Sequence, residues 1–172
     1  MLEGWFFLTA ALLALSGGAK IRDPGSTRGA LAAARLPARS WVVYGLALAE
    51  IVAAAAALAG TRLGTLAVTL LYFGFSGFVG VALARNLPVQ SCGCFGKADT
   101  PPTALHLIVN LTAAFTALWV AARGGASIVD VLAGQPAGGL PYLFFLAVGT
   151  FLLSLTLTRL ATLGAAIRGQ TT

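Results

Sequence analysis

The sequence predicts an all-α integral membrane protein, and three observations carry that expectation. Of 172 residues, 58% are hydrophobic and 9% charged, against roughly 25% charged in an ordinary soluble domain. So few charges cannot cover a water-facing surface. The apolar residues gather into five stretches near the ~20 residues a spanning helix needs. The basic residues fall mostly between those stretches. A net charge of +6 would raise the question of nucleic acid in a soluble protein. No basic stripe with interleaved aromatics accompanies it, so no nucleic-acid partner is expected. In a membrane chain the same charges set loop orientation against anionic lipid. The bilayer is therefore the first expected partner, and at this length residues 1–172 read as a single transmembrane helical domain.

The first stretch, about residues 4–19 (GWFFLTAALLALSGGA), is the shortest. Glu3 stands where a signal peptide carries basic residues, and no clean A-x-A site follows, so it reads as a retained helix. Lys20 and Arg22 are expected to snorkel toward the headgroups and make up its length. In the segment after it, Asp23-Pro24-Gly25 reads as a turn. Ser26 and Thr27 are expected to cap a short helix lying in the interface. The second span, about 41–60, carries Glu50 in LALAEIVAAA with nothing polar beside it. The third, about 64–84, carries Gly74, Ser76, Gly77 and Gly80. Ser76-x-x-x-Gly80 is a small-x-x-x-small pattern, serving either packing inside the bundle or contact in a homodimer. A loop over 85–102 holds both cysteines. The fourth span, about 103–122, begins with His106 and Asn110. The fifth, about 140–160, has Pro141 in its first turn, where proline is tolerated.

Charge sets the expected topology. With the Lys20-to-Arg39 loop in the cytoplasm, the inside collects Lys20, Arg22, Arg28, Arg35, Arg39, Arg85, Lys97, Arg159 and Arg168. The outside keeps Arg62 and Arg123. That bias satisfies the positive-inside rule. It expects a multi-pass protein of the cell (inner or plasma) membrane, with the amino terminus outside and the cysteine loop and carboxyl terminus cytoplasmic.

The stretch VQSCGCFGKADTPP contains Cys92 and Cys94, the chain's only cysteines. A Cys-x-Cys pair is a redox dithiol, half of a metal site, or an accident. As a redox pair it would close a very small disulfide ring, whose departure from ordinary disulfide geometry stores strain. Gly93 supplies backbone freedom for that ring, and Gly96 adds a second flexible point. A strained disulfide is an exchanging one rather than a staple. Lys97 favours the thiolate, and Phe95 shields the sulfurs or plugs the loop into the interface. As a metal site, two thiolates take soft ions such as Cu(I), Zn(II) or Hg(II). A closed zinc site needs further ligands, and Asp99 and His106 are the candidates. The alternative metal set is thus Cys92, Cys94 and His106.

Two other features carry chemistry. Asn110 lies four residues after His106, on the same helix face. With Arg85 and Asn86 they are candidates for a polar pocket beneath the cysteines. Glu50 sits at a depth where a carboxylate costs roughly 2.5–3.5 kcal/mol. It must face the bundle interior, as a proton acceptor, a quinone-site ligand, or a structural hydrogen-bonder to Tyr44 or a threonine.

AKIRDP after the first span, Ala-Glu-Ile in the second and CGCFG before the fourth together resemble the MauE/DoxX group of small membrane proteins, and within it the methylamine-utilisation branch. The resemblance runs from about Phe6 to Leu118. It implies a bundle of four core transmembrane helices, so that the present chain has those four plus one further span. It implies Cys92 and Cys94 as a redox pair, with Lys20, Glu50, Phe95 and Gly96 as motif members of unassigned role. It further implies a thioredoxin-like partner and a part in disulfide formation during methylamine dehydrogenase maturation. The expectation is a membrane thiol–disulfide oxidoreductase or relay, without covalent cofactor and with a bilayer quinone as the candidate electron acceptor. The alternatives are a soft-metal binding or transport protein, and a structural anchor for a soluble redox complex.

Overall fold

The computed structural model describes residues 2–89 and 101–169. Seven α-helices stand among them: α1 (Leu2–Arg22), α2 (Pro24–Ala33), α3 (Ser40–Leu58), α4 (Arg62–Ala84), α5 (Ala104–Ala122), α6 (Ile128–Ala133) and α7 (Leu140–Gly169). A 3-10 turn at Pro136–Gly139 precedes α7. Five segments are long and apolar enough to cross a membrane, the fifth being Pro136–Arg159. The protein is an all-α, multi-pass membrane protein.

The ends of α1, α2 and α4 have local reasons. Glu3 in the first turn of α1, and Lys20 and Arg22 in its last, match the sign of the helix dipole. The Asp23 carboxylate accepts from the Gly25 amide at 3.0 Å, with Pro24 in the first turn. The α2 cap is thus Asp23 rather than Ser26 or Thr27, which lie inside the helix and are buried. Proline needs no amide partner at a helix start, so it moves the start forward to Pro24. Thr61 caps α4 by accepting from the Gly64 amide at 3.1 Å. At its other end Asn86 takes φ 47°, and the Leu87 amide returns to the Ala82 carbonyl at 3.0 Å. That is a left-handed helix stop, which asparagine tolerates.

The core is a bundle of α1, α3, α4 and α5. The most extensive contacts are α4 on α5 and α1 on α3, with α3 on α4 joining the pairs. Phe6, Phe7, Val68, Tyr72 and small residues such as Ala54 and Ala114 fill its centre. Buried threonines in it bond their own helix: Thr69 to the Thr65 carbonyl at 3.0 Å, and Thr116 to the Thr112 carbonyl at 2.7 Å. A hydroxyl satisfied within its helix requires nothing from the lipid. α7 packs beside this bundle on α1. It buries 11% of its most apolar window, against 33–50% for the other four, which makes it the peripheral span.

Gly74, Gly77 and Gly80 of α4 make no close helix contact inside the bundle. A methyl group added at Gly74, Gly77 or Gly80 would meet nothing within 4 Å. Close approach is made at Gly17 and Gly64 instead. A Cβ on Gly17 would lie 2.7 Å from the Ala47 carbonyl oxygen and 2.8 Å from Ile51, and one on Gly64 would lie 2.5 Å from the α3 backbone.

Candidate functional site

Gly17 determines where α1 meets α3. Its bare backbone lies against Ala47, Glu50 and Ile51, so the last turns of α1 reach the middle of α3. Lys20, one turn after Gly17, therefore sits at the depth of Glu50. It does not snorkel. Its side chain is 2% exposed and that of Glu50 is 0% exposed, whereas Arg22 is exposed. A charged group at that depth is drawn to the nearest opposite charge, because lipid offers it no hydration.

The Lys20 ammonium lies 2.8 Å from Glu50 Oε1 and donates to Oε2 at 3.0 Å. Only the second contact has hydrogen-bond alignment, and Oε1 is left without a hydrogen-bond donor. Lys20 also donates to Ser16 Oγ at 2.6 Å. Its Nζ is 5.5 Å from the centre of the Phe75 ring, within cation–π range. The partner of Glu50 is thus Lys20 from α1, not Tyr44 or a threonine; Tyr44 is 46% exposed. Ser16 and Lys20 are four apart, which puts both on one helix face. That spacing, together with the need of Glu50 for a counter-charge, was the readable signal for this trio.

His106 and Asn110 form a second buried polar group. Both are buried on α5. His106 Nδ1 lies 2.9 Å from Thr103 Oγ1 at the start of that helix. His106 Nε2 and Asn110 Nδ2 are buried without a partner. Both residues line a cavity of about 20 Å³ with Ser16, Tyr72 and Phe75. Ser16 therefore belongs to both polar groups. Tyr72 ties the same region together, its hydroxyl donating to the Thr9 carbonyl at 2.7 Å. Arg85 and Asn86 are exposed at the end of α4 and do not line that cavity. The structure thus brings His106 and Asn110 toward Ser16 and Lys20, and leaves Arg85 and Asn86 at the surface.

The cysteine segment begins and ends on described anchors. Val89 is buried in a cluster with Ala30 and Ala82, and Thr103 is bonded to His106. Cys92, Cys94, Phe95, Gly96, Lys97 and Asp99 lie between these anchors in sequence, outside the described residues.

A family model described as methylamine utilisation protein MauE matches residues 2–123. The chain belongs to the MauE family. The match runs from the first residue of α1 to the cap of α5, so it spans the core bundle, α2 and the cysteine segment. α6 and α7 lie beyond it. Lys20, Glu50, Cys92, Cys94, His106 and Asn110 all fall within the MauE match. No curated protein and no solved structure matches the chain. As a MauE-family member it is a membrane protein related to methylamine utilisation.

Proposed function

We propose that this MauE-family protein is a membrane thiol–disulfide redox protein in which Cys92 and Cys94 exchange electrons with a thioredoxin-like partner. The observation that carries this reading is the setting of the chain's only two cysteines. They are separated by one glycine and lie between Val89, anchored in the Ala30–Ala82 cluster, and Thr103, bonded to His106. In the exchange, a thiolate of one protein attacks the disulfide of the other and a mixed disulfide forms. The remaining thiol then displaces it, leaving one protein oxidised and the other reduced. A lipid-soluble quinone is the electron acceptor that returns the dithiol to the disulfide. Nine of the eleven Lys and Arg residues fall on one side of the alternating spans, which supports a cytoplasmic cysteine segment, an external amino terminus and a cytoplasmic carboxyl terminus.

The test is labelling with a membrane-impermeant maleimide in sealed vesicles of both orientations, before and after mild reduction, with the mass read per protein. Labelling of two thiols only after reduction, and in inside-out vesicles only, is the expected result. Labelling without reductant that Cu(I) or Hg(II) blocks, and a chelator restores, would replace this reading with a soft-metal protein.

A further inference from the structure

We propose that the cavity between α2, α3 and α4 is the site of the lipid-soluble quinone, with Lys20 donating a hydrogen bond to a quinone carbonyl oxygen; this rests on the thiol–disulfide reading above. The cavity has a volume of about 360 Å³, within the roughly 300–1,000 Å³ of small-molecule sites. Its wall is apolar, with Leu31, Leu46, Leu71, Phe75 and Phe78 facing the space, and Lys20 is its charged residue. An apolar chamber whose polar groups are the Lys20 ammonium and the buried Thr27 hydroxyl selects a ligand with an apolar body and an acceptor at its head.

The donor count agrees. An ammonium carries three N–H groups. Ser16 Oγ accepts one and Glu50 Oε2 another. Near the third lie Glu50 Oε1, at 2.8 Å but not aligned as a hydrogen-bond acceptor, and the Phe75 ring at 5.5 Å. An incoming carbonyl oxygen gives this N–H an aligned acceptor. The charge count then distinguishes ligand classes. Lys20 is already neutralised by Glu50. A carboxylate ligand would leave an uncompensated negative charge in the low-dielectric interior. A quinone carbonyl is neutral and accepts without adding charge. Phe75 and Phe78 supply faces against which a flat conjugated ring packs.

A second apolar groove serves as a control within the same molecule. It is larger, about 600 Å³, and lies between α1, α3 and α7. Its hydroxyl, Thr150, is already given to the Leu146 carbonyl at 2.7 Å. Nothing in it orients a ligand head, so lipid chains suffice to fill it. The Lys20 cavity differs also in what it adjoins. Ala30 and Phe78 of its wall pack in the same cluster as Leu87 and Val89, the residues from which the chain continues to Cys92 and Cys94.

The redox step balances with the two partners named. Oxidation of the Cys92–Cys94 dithiol breaks two S–H bonds and forms one S–S bond. The two electrons and two protons released convert the two quinone carbonyls to hydroxyls. Lys20 donates to the oxygen on which negative charge grows, and the Glu50 carboxylate beside it holds the ammonium in place.

Gly74 provides a clean test. It lines the cavity, and a Cβ there meets nothing within 4 Å. Gly74→Leu therefore starts a side chain in the chamber from a position where its first carbon meets nothing. The full chain in lipid nanodiscs is irradiated with a quinone bearing a diazirine on its tail, and adducts are located by peptide mass. The expected adducts fall on residues 30–36 and 70–79, are displaced by an unlabelled short-tailed benzoquinone and not by decanoate, and drop about tenfold in Gly74→Leu. Leu46→Trp on the facing wall does the same if Gly74→Leu fails to fold. Adducts that persist in the filled variants, or that decanoate displaces equally well, overturn the proposal. Thiol labelling separates the two readings. Specific quinone adducts with a pair that never forms a disulfide would sink the thiol reading alone. A cycling pair without specific adducts would sink the quinone site alone.

Discussion

The four core helices and the fifth span use the same apolar composition in different ways. α7 is as apolar as any of them, yet it lies at the edge with Phe144, Phe145 and Phe151 exposed. Its buried hydroxyls, Thr150 and Thr158, bond carbonyls of their own helix at Leu146 and Ser154. The core helices instead carry, among the described residues, the buried lysine, glutamate and histidine: Lys20, Glu50 and His106. Apolar length determines that a segment crosses the bilayer. Which helices meet is determined by small residues and by polar groups that need partners, because lipid competes evenly for apolar side chains. The family match, ending at residue 123, covers the helices that carry Lys20, Glu50 and His106 and ends before α7.

The largest effect should come from breaking the charge pair. Glu50→Ala leaves the Lys20 ammonium buried beside Ser16 and Phe75 with no counter-charge. An unpaired buried charge costs about 3–5 kcal/mol. The measurement is reversible unfolding in mixed micelles with increasing SDS. Lys20→Met combined with Glu50→Leu removes both charges and should recover most of the loss. A double-mutant cycle in which the two single losses simply add would show that the pair is not coupled.

Gly17→Ala should come next. The added methyl would meet the Ala47 carbonyl oxygen at 2.7 Å and Ile51 at 2.8 Å, so α1 and α3 must part. Overpacking of this kind costs about 1–3 kcal/mol. The same methyl at Gly77, where nothing lies within 4 Å, should leave the unfolding midpoint unchanged. Equal losses at both positions would remove the distinction between close-packed and open glycines.

These two glycines also mark what the sequence could convey. The five spans were legible because hydropathy is summed along a helix and needs no knowledge of its neighbours. The identity of Glu50 as an interior residue was legible for the same reason. Its partner was not. Lys20 ends an apolar run, where a lysine usually reaches the headgroups, and only the α1–α3 contact at Gly17 shows that α1 ends beside the middle of α3. Ser76-x-x-x-Gly80 left two uses open, and within the bundle Ser76 is buried while a Cβ on Gly80 meets nothing. The pattern records small residues, and small residues also line an open cavity, as Gly74 does. His106 and Asn110 were grouped correctly by their four-residue spacing. Arg85 and Asn86 form the stop that ends α4 and are exposed there, away from the cavity that His106 and Asn110 line.

The smallest effect should come from the fifth span. Phe144 and Phe145 are 65% and 72% exposed and touch each other edge to face with ring centres 6.2 Å apart. In water, removing two such rings would change the surface greatly. In the bilayer the rings face lipid in the folded bundle and would still face lipid if α7 separated from α1, so replacing them alters both states alike. Phe144→Ala with Phe145→Ala should therefore shift stability by less than about 0.5 kcal/mol, and should leave thiol labelling and quinone adducts as in the parent. Leu8 gives the contrasting position on the same interface, since it approaches Gly149 so closely that a Cβ there would lie 2.8 Å from it. Gly149→Leu should separate α7 from α1 and still leave the Lys20–Glu50 coupling intact. Loss of that coupling would mean that the peripheral span helps to hold the charged core, and the division drawn between the two regions would fail.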